Sequence, residues 1–156
     1  MFRVLCLIPL PGWLLIVAPG DARADAMVTV LQEISALWRE HGLSPVRIEP
    51  LLTVEARAHA WDMSRHDYFA HVALEGGMVG QRASQAGYRW RLVLENLAAG
   101  QTTPKEAVEG WKGSAGHRKA MLDPNIRELG VGYAYLPGDN GRIKAFHYWA
   151  MSMGRR

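Results

Sequence analysis

The sequence contains a single cysteine, Cys6, among its 156 residues. Because Cys6 lies in the apolar N-terminal segment, the rest of the chain has no thiol for a disulfide, a nucleophile or a metal-thiolate site. The net charge is only +3, and no run of basic residues concentrates it, which argues against a nucleic-acid partner. No apolar run reaches the roughly 18 to 20 residues that span a bilayer. The candidate chemistry therefore rests on imidazoles and carboxylates.

The first 24 residues are typical of a secretory signal peptide. Arg3 provides a positive start, an apolar run of about 15 residues follows, and Ala22-Arg23-Ala24 has a small residue at each end. We predict cleavage after Ala24, which leaves a domain of residues 25–156 that is secreted or periplasmic. An uncleaved membrane anchor is the alternative, but two prolines and a glycine within the run disfavour a long membrane helix.

The mature chain begins with helical patterns. Residues 27–41 and 50–68 have apolar side chains three and four positions apart, as amphipathic helices do, and we expect the second of these helices to be the longest. Thr103, Pro104 and Glu106 have the spacing of a helix cap, a first-turn proline and a capping box, so a helix should run from there to about Gly113. Shorter helical turns are expected at 81–86 and 114–121.

Strand patterns dominate the C-terminal part. Residues 89–94 predict a short strand, and residues 129–136 and 143–151 flank a turn-rich cluster at 137–141. The last two segments predict an antiparallel hairpin. Helices that precede a small antiparallel sheet indicate an α+β domain, in which helices cover the faces of the sheet.

Three polar residues lie at predicted element boundaries, where binding groups are often placed: His71, Glu95 and His117. Imidazole and carboxylate groups bind metals and move protons near neutral pH. A second set, His59, Asp62 and His66, shares one face of the predicted second helix and is an alternative metal site. A polar helix face with partly packed histidines explains that spacing equally well.

Six segments in order resemble the CAP superfamily of cysteine-rich secretory, antigen 5 and pathogenesis-related proteins, also called SCP domains, in its bacterial branch. The segments that carry the resemblance are Ala58-His59-Ala60-Trp61-Asp62-Met63, Tyr68-Phe69-Ala70-His71, Gly87-Tyr88, Glu95-Asn96-Leu97-Ala98-Ala99-Gly100, Trp111-Lys112-Gly113-Ser114-Ala115-Gly116-His117-Arg118 and Leu129-Gly130-Val131-Gly132-Tyr133. The resemblance implies a three-layer α-β-α sandwich with a small antiparallel sheet.

The resemblance also implies a central cleft with two histidines and two acids. The histidines correspond to His71 and His117, and one acid corresponds to Glu95. The second acid would fall about ten residues after His71, where this chain has Gln81 and Arg82, so Glu75 is only a loose substitute. Two imidazoles and a carboxylate suit a divalent cation such as Zn²⁺, with a position left open to water.

These observations favour an exported, monomeric binding domain without enzymatic activity, whose cleft of His71, Glu95 and His117 holds a divalent cation or a small ligand. A metal-assisted hydrolase that acts on cell-envelope material is one alternative. A lipid or sterol binder with an apolar groove is another, with lining residues drawn from Trp90, Trp111, Tyr133 and Trp149, although aromatic residues more often pack in a core. The expected partner is a small ligand, a lipid or a cell-envelope component.

Overall fold

The computed structural model describes the backbone of residues 22–156 and the side chains from Asp25 onward. The helices are α1 (Ala22–Glu40), α2 (Pro50–Arg65), α3 (Val79–Gln85), α4 (Pro104–Gly113) and α5 (Ala115–Met121). The strands are β1 (Arg47–Ile48), β2 (Leu92–Ala99), β3 (Glu128–Tyr135) and β4 (His147–Arg155). The apolar run and most of the predicted signal peptide lie outside the described residues.

The four strands form one sheet in the order β1-β3-β4-β2. Strands β3 and β4 pair antiparallel, so the predicted C-terminal hairpin is confirmed. Strand β2 pairs antiparallel with the other edge of β4, while the two-residue strand β1 runs parallel to β3. The sequence patterns did not indicate β1, because two residues are too few to show an alternation.

Helices cover both faces of the sheet, which confirms the predicted α-β-α sandwich. Alternate residues of β4 point to opposite faces. Trp149, Met151 and Met153 belong to one apolar core with residues of α1, α4 and α5. Tyr148 and Ala150 belong to a second core with residues of α2. The face that α2 covers also carries the candidate site.

Two glycines let α2 lie directly on the sheet. A Cβ atom on Gly130 would come within 2.1 Å of the backbone N of Thr53, and one on Gly132 would come within 2.1 Å of the carbonyl O of Ala56. Both positions belong to β3 and face the same way. The Gly-Val-Gly segment is therefore a packing requirement for the α2–β3 contact.

Three expectations about the elements are corrected. Helix α2 ends at Arg65 rather than near Tyr68, and with 16 residues it is shorter than α1, which has 19. Strand β2 extends to Ala99, so Glu95 lies in the middle of the strand and not at its end. Strand β2 continues through the polar residues Glu95 and Asn96 because both are paired with residues of β4. Local sequence patterns do not reveal such long-range strand pairing.

Helix α1 begins at Ala22 and so includes the three residues before the predicted cleavage point. Its predicted apolar stripe is confirmed, since Val30, Ile34 and Trp38 are each at most 1% exposed. Within residues 22–156, no helix combines the length and the apolar character that crossing a membrane requires.

Candidate ligand-binding site

The side chains of His71 and Glu95 meet beside the sheet. His71 lies in the loop between α2 and α3, and its Nδ1 is 2.8 Å from Oε2 of Glu95. A carboxylate can only accept a hydrogen bond, so Nδ1 carries a proton, and in the neutral form of the ring Nε2 has the lone pair. The His71 side chain is 51% exposed whereas that of Glu95 is 2% exposed. The buried carboxylate of Glu95 therefore fixes the orientation of the His71 imidazole, while the imidazole itself remains half exposed to solvent.

Arg82 of α3 holds Glu95 from the other side. Its Nη2 forms an ion pair with Oε1 of Glu95, and its Nε donates to Oε1 of Glu55 at 2.7 Å. Its Nη1 donates to the carbonyl oxygens of His71 and Gly77, each at 2.8 Å. One guanidinium thus joins two carboxylates to the loop that carries His71.

The side chain of Glu55 is fully inaccessible to solvent. Burial raises its pKa, while the hydroxyl of Ser152 and the guanidinium of Arg82 act in the opposite direction. Ser152 is paired with Glu95 across the β2–β4 ladder and donates to Oε2 of Glu55. We call Glu55, Arg82, Glu95 and Ser152 the buried network; both oxygens of each carboxylate are engaged in it or by His71.

His117 approaches the site from α5. Its backbone carbonyl accepts a hydrogen bond from Nδ2 of Asn96, the residue after Glu95, at 3.1 Å. Burial, and then the nearby charge of His71, lower the pKa of His117. A lowered pKa keeps the imidazole neutral, which is the form that binds a metal. The structure thus pairs His71 with Glu95, and His117 lies near enough to His71 to feel its charge.

Glu75 lines a pocket of about 390 Å³ between α2, the 73–77 loop and α3, together with His59, Asp62 and Gln85. Arg82, which contacts Glu95, lines the same pocket. Among the described residues, no hydrogen bond or ion pair joins Glu75 to the His71–Glu95 pair. The guanidinium of Arg82 stands at the sequence position where the family resemblance implies a second acid.

The residues of the alternative metal set are engaged in other contacts. Nε2 of the buried His59 is 3.0 Å from the carbonyl of Ala70. His66 and Tyr68 take the two oxygens of Asp62. Across residues 22–156, no three His, Cys, Asp or Glu side chains cluster as a metal site would require.

The aromatic residues considered for an apolar groove do not share one surface. Trp111 and Trp149 are buried, and their indole nitrogens donate to the carbonyls of Leu97 and Gln101. Tyr133 packs on Trp149 with ring centres 4.3 Å apart, beside a pocket of about 370 Å³. Trp90 is exposed and covers Gly80. These contacts assign most of the set to packing.

Sequence reasoning missed Glu55, Arg82 and Ser152. Glu55 had one local signal, because it stands three positions after Leu52 and one before Ala56 on the apolar face of α2. An acid on a core-facing position requires a partner. Its partner comes from another helix 27 residues away, which spacing alone does not reveal.

The α-β-α sandwich defines a class of protein, and comparison with known proteins identifies it. Residues 21–153 match the model of the CAP family, described as the cysteine-rich secretory protein family, so the chain belongs to that family. It is 38% identical over 104 residues to the protein YkwD of Bacillus subtilis (strain 168). That match covers 67% of this chain but only 40% of YkwD.

Solved structures share the fold. An extracellular SCP-domain protein of Bacillus anthracis superposes with a TM-score of 0.74 at 24% identity, over 86% of this chain and 41% of that one. An outer surface protein of Borrelia burgdorferi superposes with a TM-score of 0.75 at 20% identity, over 85% of this chain and 93% of that one. The bacterial CAP fold expected from the sequence is therefore confirmed.

Proposed function

We propose that this protein is an exported binding domain without enzymatic activity, whose His71 and His117 side chains bind a divalent cation at the mouth of the cleft. The observation that carries the proposal is the hydrogen bond between Nδ1 of His71 and Glu95. In metal sites, a carboxylate behind a histidine fixes its tautomer and orients its other nitrogen toward the metal. Glu95 acts here as that orienting group.

In this proposal two imidazoles supply the donors for the cation. His71 is exposed and oriented, and His117 has a lowered pKa that favours its neutral form. Within residues 22–156 no third His, Cys, Asp or Glu ligand completes the set, so water or a ligand oxygen would complete the coordination. Such a site binds Zn²⁺ more weakly than the closed four-ligand sites that stabilise zinc fingers. When bound, the cation would supply a positive centre for an anionic or carbonyl oxygen.

The same contacts support binding over hydrolysis. A metal-assisted hydrolase needs a general base within hydrogen-bonding reach of the attacking water. Both oxygens of Glu95 are occupied by His71 and Arg82, and both oxygens of Glu55 are occupied by Arg82 and Ser152. The carboxylates of the buried network therefore hold the site in shape and are not positioned to take a proton from water.

Export is supported by the signal-like first 24 residues and by the nature of the proteins that share the fold. These include an extracellular protein and an outer surface protein. Cleavage after Ala24 would place Asp25 at the start of α1, where an acidic residue interacts favourably with the helix dipole. The N-terminal sequence of the exported protein tests this, and an N-terminus other than Asp25 contradicts the predicted cleavage site.

Calorimetric titration with ZnCl₂ at neutral pH tests the site. We expect saturable one-to-one binding with a rise in melting temperature, and both should be lost in His71→Ala and in His117→Ala. His41→Ala serves as the matched control, because His41 lies on the surface at the end of α1 and its ring contacts the carbonyl of Leu37. Unchanged binding in both site variants, or equal loss in the control, contradicts the proposal.

Glu95→Gln distinguishes an orienting role from a ligand role. An amide still places an oxygen beside Nδ1 of His71, so Zn²⁺ affinity should fall by about ten- to a hundredfold and not vanish. Complete loss of binding in the folded variant would instead identify Glu95 as a direct ligand. Measured turnover of an envelope ester or peptide that is abolished by chelator would favour the hydrolase alternative.

A further inference from the structure

Four arginines from distant parts of the sequence meet at one end of the sheet. The backbone N–H of Arg47 donates to the carbonyl of Arg127 at 3.0 Å, and the N–H of Arg127 donates to the carbonyl of Gly154 at 3.0 Å. Arg155 and Arg156 follow Gly154 directly. The side chains of Arg47, Arg127, Arg155 and Arg156 line an open pocket of about 290 Å³ together with Pro45 and Glu128, and we call it the arginine pocket.

Two carboxylates balance only part of this charge. Glu128 is buried, pairs with Arg47 and accepts a hydrogen bond from the hydroxyl of Tyr88 at 2.6 Å. Glu49 pairs with Arg156 at 2.9 Å. No ion pair among the described residues engages Arg127 or Arg155. The side chains around the pocket therefore carry an excess of two positive charges.

Of the two arginines without a carboxylate partner, Arg127 is fixed by other contacts and Arg155 has only one long side-chain hydrogen bond among the described residues. Nη1 of Arg127 donates to the carbonyls of Pro124 and Ile126, at 2.7 and 2.6 Å, which fixes its guanidinium. Nη1 of Arg155 reaches Oδ1 of Asn125 only at 3.5 Å. Nε of Arg155 is buried and has no hydrogen-bond partner among the described residues. A buried donor of this kind is costly unless an acceptor satisfies it.

We propose that the arginine pocket binds a phosphate-class oxyanion. Guanidinium groups match such anions through pairs of parallel N–H···O bonds, and a doubly charged anion balances the excess charge. The phosphate group is the recognised chemistry, whether it belongs to inorganic phosphate or to a phosphate ester. This site is independent of the histidine site proposed above.

Nuclear magnetic resonance of the arginine Nε–Hε groups tests the proposal. The ¹⁵N-labelled protein is titrated with sodium phosphate at pH 7, with ionic strength kept constant by NaCl. We expect a saturable shift of the Arg155 Nε–Hε signal, and a Kd at least tenfold higher in Arg127→Gln and Arg155→Gln. Arg65→Gln is the control, because Arg65 lies far from the arginine pocket. Glu49, which pairs with Arg156, directly precedes Pro50, and Arg65 ends α2 about 22 Å along the helix from Pro50.

Further measurements separate the possible outcomes. Arg155→Lys keeps the charge but loses the fork, so it should weaken binding less than Arg155→Gln does, and melting curves establish that each variant is folded. Glycerol 3-phosphate in place of inorganic phosphate identifies an ester as the preferred source if it binds more tightly. Equal responses to phosphate and chloride, an equal loss in Arg65→Gln, or a response only to anionic lipid vesicles would overturn the proposal.

Discussion

Substitution of Arg82 should lower the free energy of unfolding more than substitution of any surface lysine or arginine. Arg82 is 10% exposed and joins Glu55 and Glu95, whose side chains are 0% and 2% exposed. Arg82→Met keeps an unbranched side chain but leaves two buried carboxylates without their shared cation. Breaking a buried ion pair from one side costs about 3–5 kcal/mol, because the remaining charge is uncompensated.

Urea denaturation measures this loss. With a slope of about 2 kcal/mol per molar urea, typical of small proteins, a loss of about 3–5 kcal/mol moves the midpoint down by roughly 1.5–2.5 M. Lys112→Met is the matched control, since Lys112 pairs with Glu109 on the surface of α4. A surface pair of this type contributes at most about 1 kcal/mol, so its midpoint should shift little.

The pH dependence provides a second readout. Burial already raises the pKa of Glu55, and removal of Arg82 raises it further because a cation that lowers it is gone. A carboxyl whose folded pKa exceeds its unfolded pKa stabilises the folded state below the unfolded pKa and loses that contribution as pH rises through the folded pKa. The deficit of Arg82→Met relative to the unsubstituted protein should therefore shrink between pH 7 and pH 5.

A double variant isolates the cause. Adding Glu55→Gln to Arg82→Met removes one uncompensated charge, so the double variant should be more stable than Arg82→Met alone. Three results would refute a shared charge on Arg82 as the source of this stability. They are a loss below about 1 kcal/mol in Arg82→Met, a loss that is equal at both pH values, and a double variant no more stable than Arg82→Met.

Three further predictions concern packing, titration and capping. Gly132→Ala should destabilise the protein by at least about 1–3 kcal/mol, because its Cβ would overlap the backbone of α2, whereas Gly110→Ala in α4 should stabilise it by about 0.5–1 kcal/mol; thermal melts compare the two. Burial lowers the pKa of His59, so stability should fall by up to about 1.4 kcal/mol per pH unit as pH drops from 6.5 through the lowered value, and a similar slope in His59→Gln would contradict this. Thr103→Ala should lower the free energy of unfolding by about 1 kcal/mol in urea denaturation, since the Thr103 hydroxyl caps α4. A change near zero would show that the cap does not stabilise the protein.

Local signals in the sequence predicted elements well where the stabilising contacts are themselves local. Thr103 accepts the N–H of Glu106 at 3.2 Å, as the capping pattern predicted. The carboxylate of Glu106 reaches the backbone N of Thr102, one residue earlier than an ideal capping box. Contacts within four residues leave a recognisable pattern, so the start of α4 was predictable to the residue.

The interior of the site was not predictable in the same way. Glu95 and Ser152 are 57 positions apart and meet only because β2 and β4 pair. Glu55 and Arg82 come from two helices that the chain joins through a long loop. From the residues alone, His71, Glu95 and His117 were each placed at an element boundary, and only the family resemblance grouped them. Their grouping depends on tertiary contacts that no periodicity encodes.

Charge explains why the two proposed sites would take ligands of opposite sign. Behind His71, two carboxylates share one guanidinium, so the buried network leaves a negative charge near the exposed imidazole. That residual charge favours a cation in front of the histidines and disfavours an anion there. At Arg155, three residues after Ser152 on β4, the balance of charge reverses. There, two arginines have no carboxylate partner among the described residues. Since the ligands occupy separate groups of donors, Zn²⁺ and phosphate should raise the melting temperature independently, and each increase should disappear only with its own set of substitutions.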